Sequence, residues 1–318
     1  MLGTQSTFEK PVFIVNPNSA NGSTRKEWPG IEALARERFP KLEVRFTTKP
    51  FEAPTLVSRA IHAGADLVVS VGGDGTHNEV VNGFFENDKA INPEATLGIL
   101  SRGTGGDFRR TLGLGRCSGG EMVAAVNQLA GCRTTACDVG RLTFVANGGE
   151  ACVRYFINIA SFGIGGEVDK RVNESSKALG GKASFFIGSL KAALAYKNRR
   201  VRVSVDGKPF YEGPMYNVAV ANGRFFGGGM MIAPNAEIDD GLFDVVACGD
   251  LNFFESLALA RTIYSGKHLA LPKVSTTRGK VVTAESEERV LLDVDGEAPG
   301  RLHAKFENVH AALRVLRF

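Results

Sequence analysis

Residues 66–85, DLVVSVGGDGTHNEVVNGFF, run from an apolar segment through a turn holding Gly72, Gly73 and Gly75 into an amphipathic segment, with Asp74 at the apex. Exposed N–H groups at such a turn, continued by the first turn of a helix, form an anion cradle. Thr76 and Glu79 have the spacing of a capping box, and Val80, Val81, Phe84 and Phe85 would share one helical face. The turn is neither GxGxxG nor GxxxxGK[ST]: Asn78 stands third after Gly75 and no lysine follows. The cradle therefore has no built-in cation, and Asp74 adds a charge that repels phosphate. Two unit charges about 4 Å apart interact by about 4 kcal/mol at an effective dielectric near 20. A divalent cation between acid and phosphate reverses that sign; alternatively, Asp74 simply closes an Asx-type turn.

Two other acidic constellations stand out. Asp295-Gly296-Glu297 lies between alternating segments, the signature of a two-residue hairpin, and Asp206-Gly207 has the same signature. By spacing alone the two are equivalent. AEIDDGLFD (236–244) is too short and wrongly spaced for an EF-hand loop, and its Asp239-Asp240-Gly241 fits an ordinary β-turn.

These residues are positioned by two kinds of pattern. Up to about residue 136, strand and helix signals alternate: VFIVNP, LEVRFTT, DLVVSV and ATLGIL as strands, with helical stretches at 31–39, 54–64 and 121–131. Pro54 and Gly64 flank one helix, while Ser118 and Glu121 have capping spacing before another. Repeated βα units predict a mostly parallel, doubly wound sheet with helices on both faces. From about Asp138 the signals become short alternating strands, interrupted by helical stretches at 175–197 and 253–264, the latter with Asn252 and Glu255 at capping spacing. This half predicts an antiparallel β-sandwich or barrel. The resulting division is 1–136 as an α/β domain and 137–303 as a mainly β domain, with the closing run 304–318 returning to the first.

Composition excludes several classes. With 318 residues, 43% of them hydrophobic, two cores can form. A formal charge of +4 with no basic block argues against nucleic acid. Five cysteines without a CxxC pair read as free thiols of a reducing cytoplasmic compartment. There is no signal-peptide pattern and no apolar run near the ~18 residues of a membrane helix, so any membrane association is expected to be peripheral.

Beyond these local readings, VGGDGTHNEVVNG resembles the nucleotide-binding signature of the diacylglycerol and sphingosine kinase family of lipid kinases, whose GGDGT core is shared with NAD kinases and 6-phosphofructokinases. VNPNSANG (15–22) is similar to the family's NPxSG element and SRGTGGDFRRTLGL (101–114) to its PxGTxNDFAR loop. FINIASFGIGG (156–166), the block at 222–246 and DVDGEA (293–298) are similar to its second-domain elements, so the resemblance spans almost the whole chain. It implies transfer of the γ-phosphoryl of ATP to a lipid hydroxyl with Mg²⁺. Asn16, Thr47, Gly72, Gly73, Asp74, Gly75, Thr76, His77, Asn78, Glu79 and Thr104 would then meet the nucleotide, with Asp74 acting through Mg²⁺. Glu297 would be the general base with Asp295 beside it, and Asp107 and Asp138 would join the acidic network. Neighbouring acids would raise the pKa of one of them. Glu237, Asp240 and the Leu242 carbonyl would match a structural Mg²⁺ site. Proline and asparagine of PxGTxND are replaced, and Gly106 lacks the amide side chain. Arg102, Arg109 and Arg110 could offset that by meeting phosphate, or be solvated surface.

The acceptor implied first is diacylglycerol, with sphingoid base and phosphatidylglycerol open, presented at a membrane surface. Phe185, Phe186, Ile187 and Leu190 among lysines form one candidate docking helix, or else part of a core. A homodimer is left open. The rival functions are an NAD kinase and a catalytically inactive lipid- or nucleotide-binding module.

Overall fold

The computed structural model describes residues 8–103, 105–168 and 196–318. The chain divides into two units, Met1–Cys137 with Ala311–Phe318, and Asp138–His310.

In the first unit the strands are β1 (Pro11–Val15), β2 (Glu43–Phe46), β3 (Leu67–Gly72), a two-residue-a-side hairpin β4–β5 (Phe85–Glu86 and Lys89–Ala90) and β6 (Thr96–Ser101). The helices are α1 (Ser23–Arg38), α2 (Ala53–His62), α3 (Asp74–Asn82), α4 (Asp107–Thr111) and α5 (Met122–Gly131). β2, β1, β3 and β6 lie side by side, all parallel, with Val15 opposite both Phe46 and Val71, and Val71 opposite Leu100. The closing run adds a fifth parallel strand, pairing Arg314 with Thr96 and Val315 with Leu97. This return begins at Ala311; residues 304–310 lie in the second unit.

The alternation of side chains explains the layers. From β3, Leu67, Val69 and Val71 point into a core with Trp28, Ile31 and Ala35 of α1, Val126 and Leu129 of α5, and Leu316. Ser70 points to the other face, where its hydroxyl meets His77 of α3. Both faces are covered, which is why β3 and β6 read as unbroken apolar runs.

Three local expectations change. α3 starts at Asp74 after an extended Gly73 (φ −93°, ψ −177°), so Thr76 sits inside the first turn and caps nothing. The helix also ends at Asn82, which places Phe85 in β4. At Ser118, a 3-10 turn over Gly119–Glu121 precedes α5 with no side-chain cap. By contrast, Asn252 and Glu255 form both bonds of a capping box on α6 (Phe253–Thr262).

The second unit is a β-sandwich. β7 (Arg133–Ala146) brings the chain in, followed by β8 (Ala151–Phe156), β9 (Ile159–Gly163), β10 (Arg199–Val205), β11 (Lys208–Met215), β12 (Asn217–Ala221), β13 (Phe243–Cys248), β14 (Val274–Gly279), β15 (Val281–Glu285), β16 (Leu292–Val294) and β17 (Gly300–Arg317). One sheet is ordered β11–β10–β15–β17, with β7 beside β17 and β8 beside β7; the other is ordered β14–β13–β12–β9–β16. Between them Leu142, Val203, Phe306 and Val282 of the first sheet meet Phe162, Val220, Phe243 and Leu292 of the second. β12 is buried along its whole length because Ala219 and Ala221 face a further core with Leu259 and Ile263. The helical stretch read at 175–197, and its docking-face phenylalanines, lie outside the described residues apart from its last two positions.

Leu316 is 1% exposed in the first unit's core although it lies at the far end of the chain. Leu316→Ala should therefore lower stability by about 2–5 kcal/mol in urea unfolding, as for other buried leucines. A loss below about 0.5 kcal/mol would mean that the closing strand contributes nothing to that core.

Candidate functional site

In the first unit, the sequence-nominated residues gather at the carboxyl ends of the parallel strands, the place where open α/β sheets bind ligands. Asn16 follows β1, Thr47 follows β2, Gly72 ends β3 and leads into Gly73 and α3, and Ser101 ends β6, with Arg102, Gly103 and Gly105–Asp107 beyond it. The backbone N–H of Asn16 donates to Val71 O (3.0 Å) and that of Thr47 to Val15 O (2.9 Å). The Asn16 amide donates to Thr76 Oγ1 at 3.0 Å, so the loop after β1 is tied to the first turn of α3.

The two glycine loops approach backbone to backbone. Arg102 N–H donates to Gly72 O at 2.5 Å. A Cβ on Gly103 would stand 2.9 Å from Gly73 Cα, and one on Gly72 would meet the Thr76 side chain at 2.6 Å. Neither position has room for a side chain. Asp74 joins the loops: its Oδ2 accepts the Gly106 N–H (2.7 Å) and its Oδ1 the Asp107 N–H (3.1 Å). Asp74 thus bonds across to the second loop instead of closing a local Asx turn. A Cβ at Gly105 would collide with Asp74 Oδ2 and lie 3.7 Å from Asp107 Oδ2, so both carboxylates reach that glycine.

A Mg²⁺ ion usually takes one or two protein carboxylates and fills its shell with phosphate oxygens and water. Asp74 and Asp107 fit that demand as a pair. Asp107 is buried and also accepts from Arg110 Nη1 at 2.7 Å.

The three arginines meet different fates. Arg102 is neither solvated nor on the loop's open side: it is 2% exposed, with bonds to Glu27 (2.8 Å), Cys117 O (2.5 Å), Thr24 Oγ1 (3.2 Å) and Ser23 Oγ (3.3 Å). It pins the β6 loop to the start of α1, and its hydrogen bond holds Glu27 below the usual carboxylate range. Arg110 also donates to Gly105 O (2.6 Å), and Arg116, which the sequence reading passed over, donates to Gly103 O (2.8 Å). Arg109 Nη1 donates to Leu114 O at 3.1 Å. Arg109 Nε, Ser101 Oγ and His77 Nε2 are buried polar atoms without a hydrogen-bond partner among the described residues. Thr104 lies outside the described residues.

The buried His77 ring meets Ser70 Oγ through Nδ1 at 2.7 Å. Burial pushes its pKa down to about 4 against the pull of Asp74, so His77 is neutral at pH 7. Asn78 is fully buried and accepts from the Asn82 amide, while Glu79 is half-buried. Burial also pushes Cys117 and Cys132 up to about 11 and Cys248 up to about 12, so these thiols stay protonated.

In the second unit, Asp295 and Gly296 both have positive φ (50° and 87°), the conformation of a tight hairpin turn, closed by Val294 N–H on Glu297 O (2.8 Å) and Glu297 N–H on Val294 O (3.1 Å). Asp206-Gly207 has nearly the same angles (49° and 74°). Surroundings separate them. The Asp206 carboxylate is exposed and accepts Lys280 and Val281 N–H. That of Asp295 is buried and accepts three backbone N–H groups, from Ile157 (3.1 Å), Asn158 (3.2 Å) and Ile159 (2.9 Å). Asp293, which sequence reasoning missed although it sits in the quoted DVDGEA, accepts from Ser161 Oγ (3.2 Å) and Gly296 N–H (2.9 Å). An acid inside an otherwise apolar strand was the available signal. Glu297 is left half-exposed, 4.0 Å from Arg154 Nη2.

Asp138 is fully buried; Oδ1 meets His310 Nδ1 at 2.8 Å and Oδ2 accepts Gly241 N–H at 2.6 Å. It ties β7, β17 and the 236–244 loop together. In that loop, where the resemblance implies a structural cation site, Asp240 Oδ2 is paired with Arg278, Asp240 Oδ1 accepts Leu242 N–H (3.0 Å), and Glu237 is exposed. Arg278 also pairs with Asp244 at 3.1 Å.

Because the folded state holds His77 neutral, stability is fully present above pH 6.5 and is lost as pH falls toward 4, where only the unfolded chain takes up the proton. Its contribution to the loss between pH 7 and pH 5 should be about 2 kcal/mol. Chemical unfolding of His77→Gln should show a pH dependence shallower by that amount; an unchanged slope would place the lost stability elsewhere.

Comparison with known proteins agrees with this architecture. Residues 10–142 match the diacylglycerol kinase catalytic domain, and residues 158–317, half of the chain, match the YegS C-terminal NAD kinase beta sandwich-like domain. A diacylglycerol kinase of Staphylococcus carnosus (strain TM300) is 28% identical over 303 residues, covering 95% of this chain and 93% of that one. A diacylglycerol kinase of Bacillus subtilis (strain 168) is 27% identical over 304 residues, with 96% and 95% covered. Among solved structures, a diacylglycerol kinase from Bacillus anthracis str. Sterne shares the fold at a TM-score of 0.75 and 24% identity, with 99% of each chain covered. Yeast NADH kinase complexed with NADH shares it at 0.57 and 12%, covering 98% of this chain and 84% of that one. With a parallel α/β unit carrying the GGDGT turn and a β-sandwich unit carrying the DGE turn, the chain belongs to the diacylglycerol kinase family of lipid kinases, related in fold to the NAD kinases.

Proposed function

We propose that the protein transfers the γ-phosphoryl group of ATP to a lipid hydroxyl, with diacylglycerol as the acceptor and phosphatidic acid as the product. The observation that carries this reading is the joining of two glycine loops through Asp74 at the carboxyl ends of β3 and β6, with the Asp107 carboxylate beside the same glycine, Gly105. Such a constellation suits a polyphosphate that arrives with a divalent ion. Asp74 and Asp107 would hold Mg²⁺, which when bound neutralises charge on the phosphates. The loop N–H groups and Asn16 position the nucleotide. Glu297 is the acid suited to receive a proton: it is half-exposed, on a turn kept rigid by the buried Asp295. It takes the acceptor's hydroxyl proton as that oxygen bonds to the γ-phosphorus, and the bond to the β-phosphate oxygen breaks to release ADP.

An acceptor of this class is reached at a membrane surface. No helix of the described residues is long and apolar enough to cross a membrane, so contact would be peripheral. The names of the two relatives described above, both diacylglycerol kinases at 27–28% identity, favour diacylglycerol over NAD as the acceptor.

Purified protein with labelled ATP and Mg²⁺, offered diacylglycerol, sphingosine, phosphatidylglycerol and NAD in parallel, should label diacylglycerol. Labelling of NAD alone would overturn the lipid-kinase reading, and no labelling would favour a binding module. Glu297→Gln should lower kcat by roughly 10²- to 10⁴-fold with ATP affinity within about twofold of the parent. Full activity in that variant would reduce the turn to a hairpin.

A further inference from the structure

The loop Ser101–Asp107 departs from the PxGTxND pattern it resembles by having no side chain at 106, and α4 follows with two adjacent arginines. Gly106 is in the left-handed region (φ 64°, ψ 44°), a conformation that asparagine also tolerates, so backbone strain alone does not demand glycine there. The space above it is taken, however. A Cβ at 106 would stand 2.5 Å from Arg109 Nε, 3.1 Å from Arg109 Cδ and 3.0 Å from Ser101 Oγ. The Arg109 side chain therefore occupies the volume into which a residue-106 side chain would project. A side chain at 106 would have to push the flexible end of Arg109 aside.

Arg109 is also set apart from its neighbours. Arg110 is engaged with Asp107 and Gly105 O, Arg116 with Gly103 O, and Arg102 is locked behind the loop. Arg109 is held from one end by Leu114 O, while its buried Nε has no partner among the described residues, next to the equally unpartnered Ser101 Oγ. A buried donor without an acceptor is costly, so the Nε calls for a partner: water, an ion or a ligand. Arg109 lies within the electrostatic reach of Arg110 and Arg116 and, more weakly, of Asp74 and Asp107.

We propose that Gly106 and Arg109 are a compensating pair, in which the absence of a side chain at 106 admits the Arg109 guanidinium to the cradle as its phosphate-binding cation. This rests on the reading that the cradle takes ATP. It supplies the charge that the β3–α3 turn lacks for want of a lysine: the cation comes from the turn after β6. Arg109 contacts phosphate oxygens rather than the base or ribose, and a bidentate guanidinium is suited to that.

The test is equilibrium binding of ATP and of adenosine to the full chain with Mg²⁺, by calorimetry, for the parent and for Arg109→Ala, Arg109→Lys, Gly106→Asn and the double variant Gly106→Asn/Arg109→Ala. Arg109→Ala should weaken ATP roughly tenfold and leave adenosine unchanged, with Arg109→Lys between it and the parent. Gly106→Asn should weaken ATP by a similar factor through displacing the guanidinium. The double variant should bind ATP better than either single one, because the amide then has the place to itself. ATP binding within about twofold of the parent in Arg109→Ala, equal losses for ATP and adenosine, or additive losses in the double variant would each overturn the proposal. A parent chain that binds no ATP overturns the nucleotide reading beneath it, whereas normal ATP binding without phosphorylation of any lipid overturns only the acceptor assignment.

Discussion

The first unit's site depends on a carboxylate placed where its own repulsion of phosphate would be greatest. Asp74 is tolerated there because two backbone N–H groups of the opposite loop are aimed at it, from Gly106 and Asp107. An ionised group taken partly out of water needs such donors. Meeting the need forces the rest: Gly105 must be bare beside Asp74, and Gly103 must be bare where the loops touch. Arg102 must hold the second loop from behind so that its amides stay aimed. The glycines are thus spaced by the reach of one carboxylate rather than by flexibility.

The second unit uses the same rule with a different result. Asp295 and Asp138 are buried and satisfied by backbone N–H groups, the latter also by His310. Held this way, they brace turns and strand crossings. Glu297 alone among the nominated acids of this unit's turn is left half-exposed with a loose ionic partner, which gives it freedom to move a proton. Asp240 follows the rule with a guanidinium as its counter-charge.

What could be read from the sequence was local or periodic. Unbroken apolar runs announced the doubly covered β3 and β6, and the Asn252–Glu255 box formed because both partners lie within one helical turn. Thr76–Glu79 has the same spacing but forms no such box, because the helix already starts at Asp74 and Thr76 lies inside its first turn. The two Asp-Gly turns are indistinguishable in backbone geometry; only the amides of Ile157, Asn158 and Ile159, distant in sequence, separate a buried acid from a solvated one. The fates of Arg102 and Arg109 were hidden for a related reason. Adjacent residue types say nothing about which guanidinium is enclosed by the start of α1 and which lies over a bare glycine.

The closing strand has a consequence for how the protein is made on the ribosome. Residues up to Cys137 emerge first, but their sheet lacks the strand beside β6 until Ala311–Phe318 is synthesised. With about 180 residues still to be translated at roughly 5–20 residues per second, the nascent chain carries an unpaired, apolar sheet edge for roughly 10–35 s. The sheet begun first is thus completed only by residues made about 180 positions later.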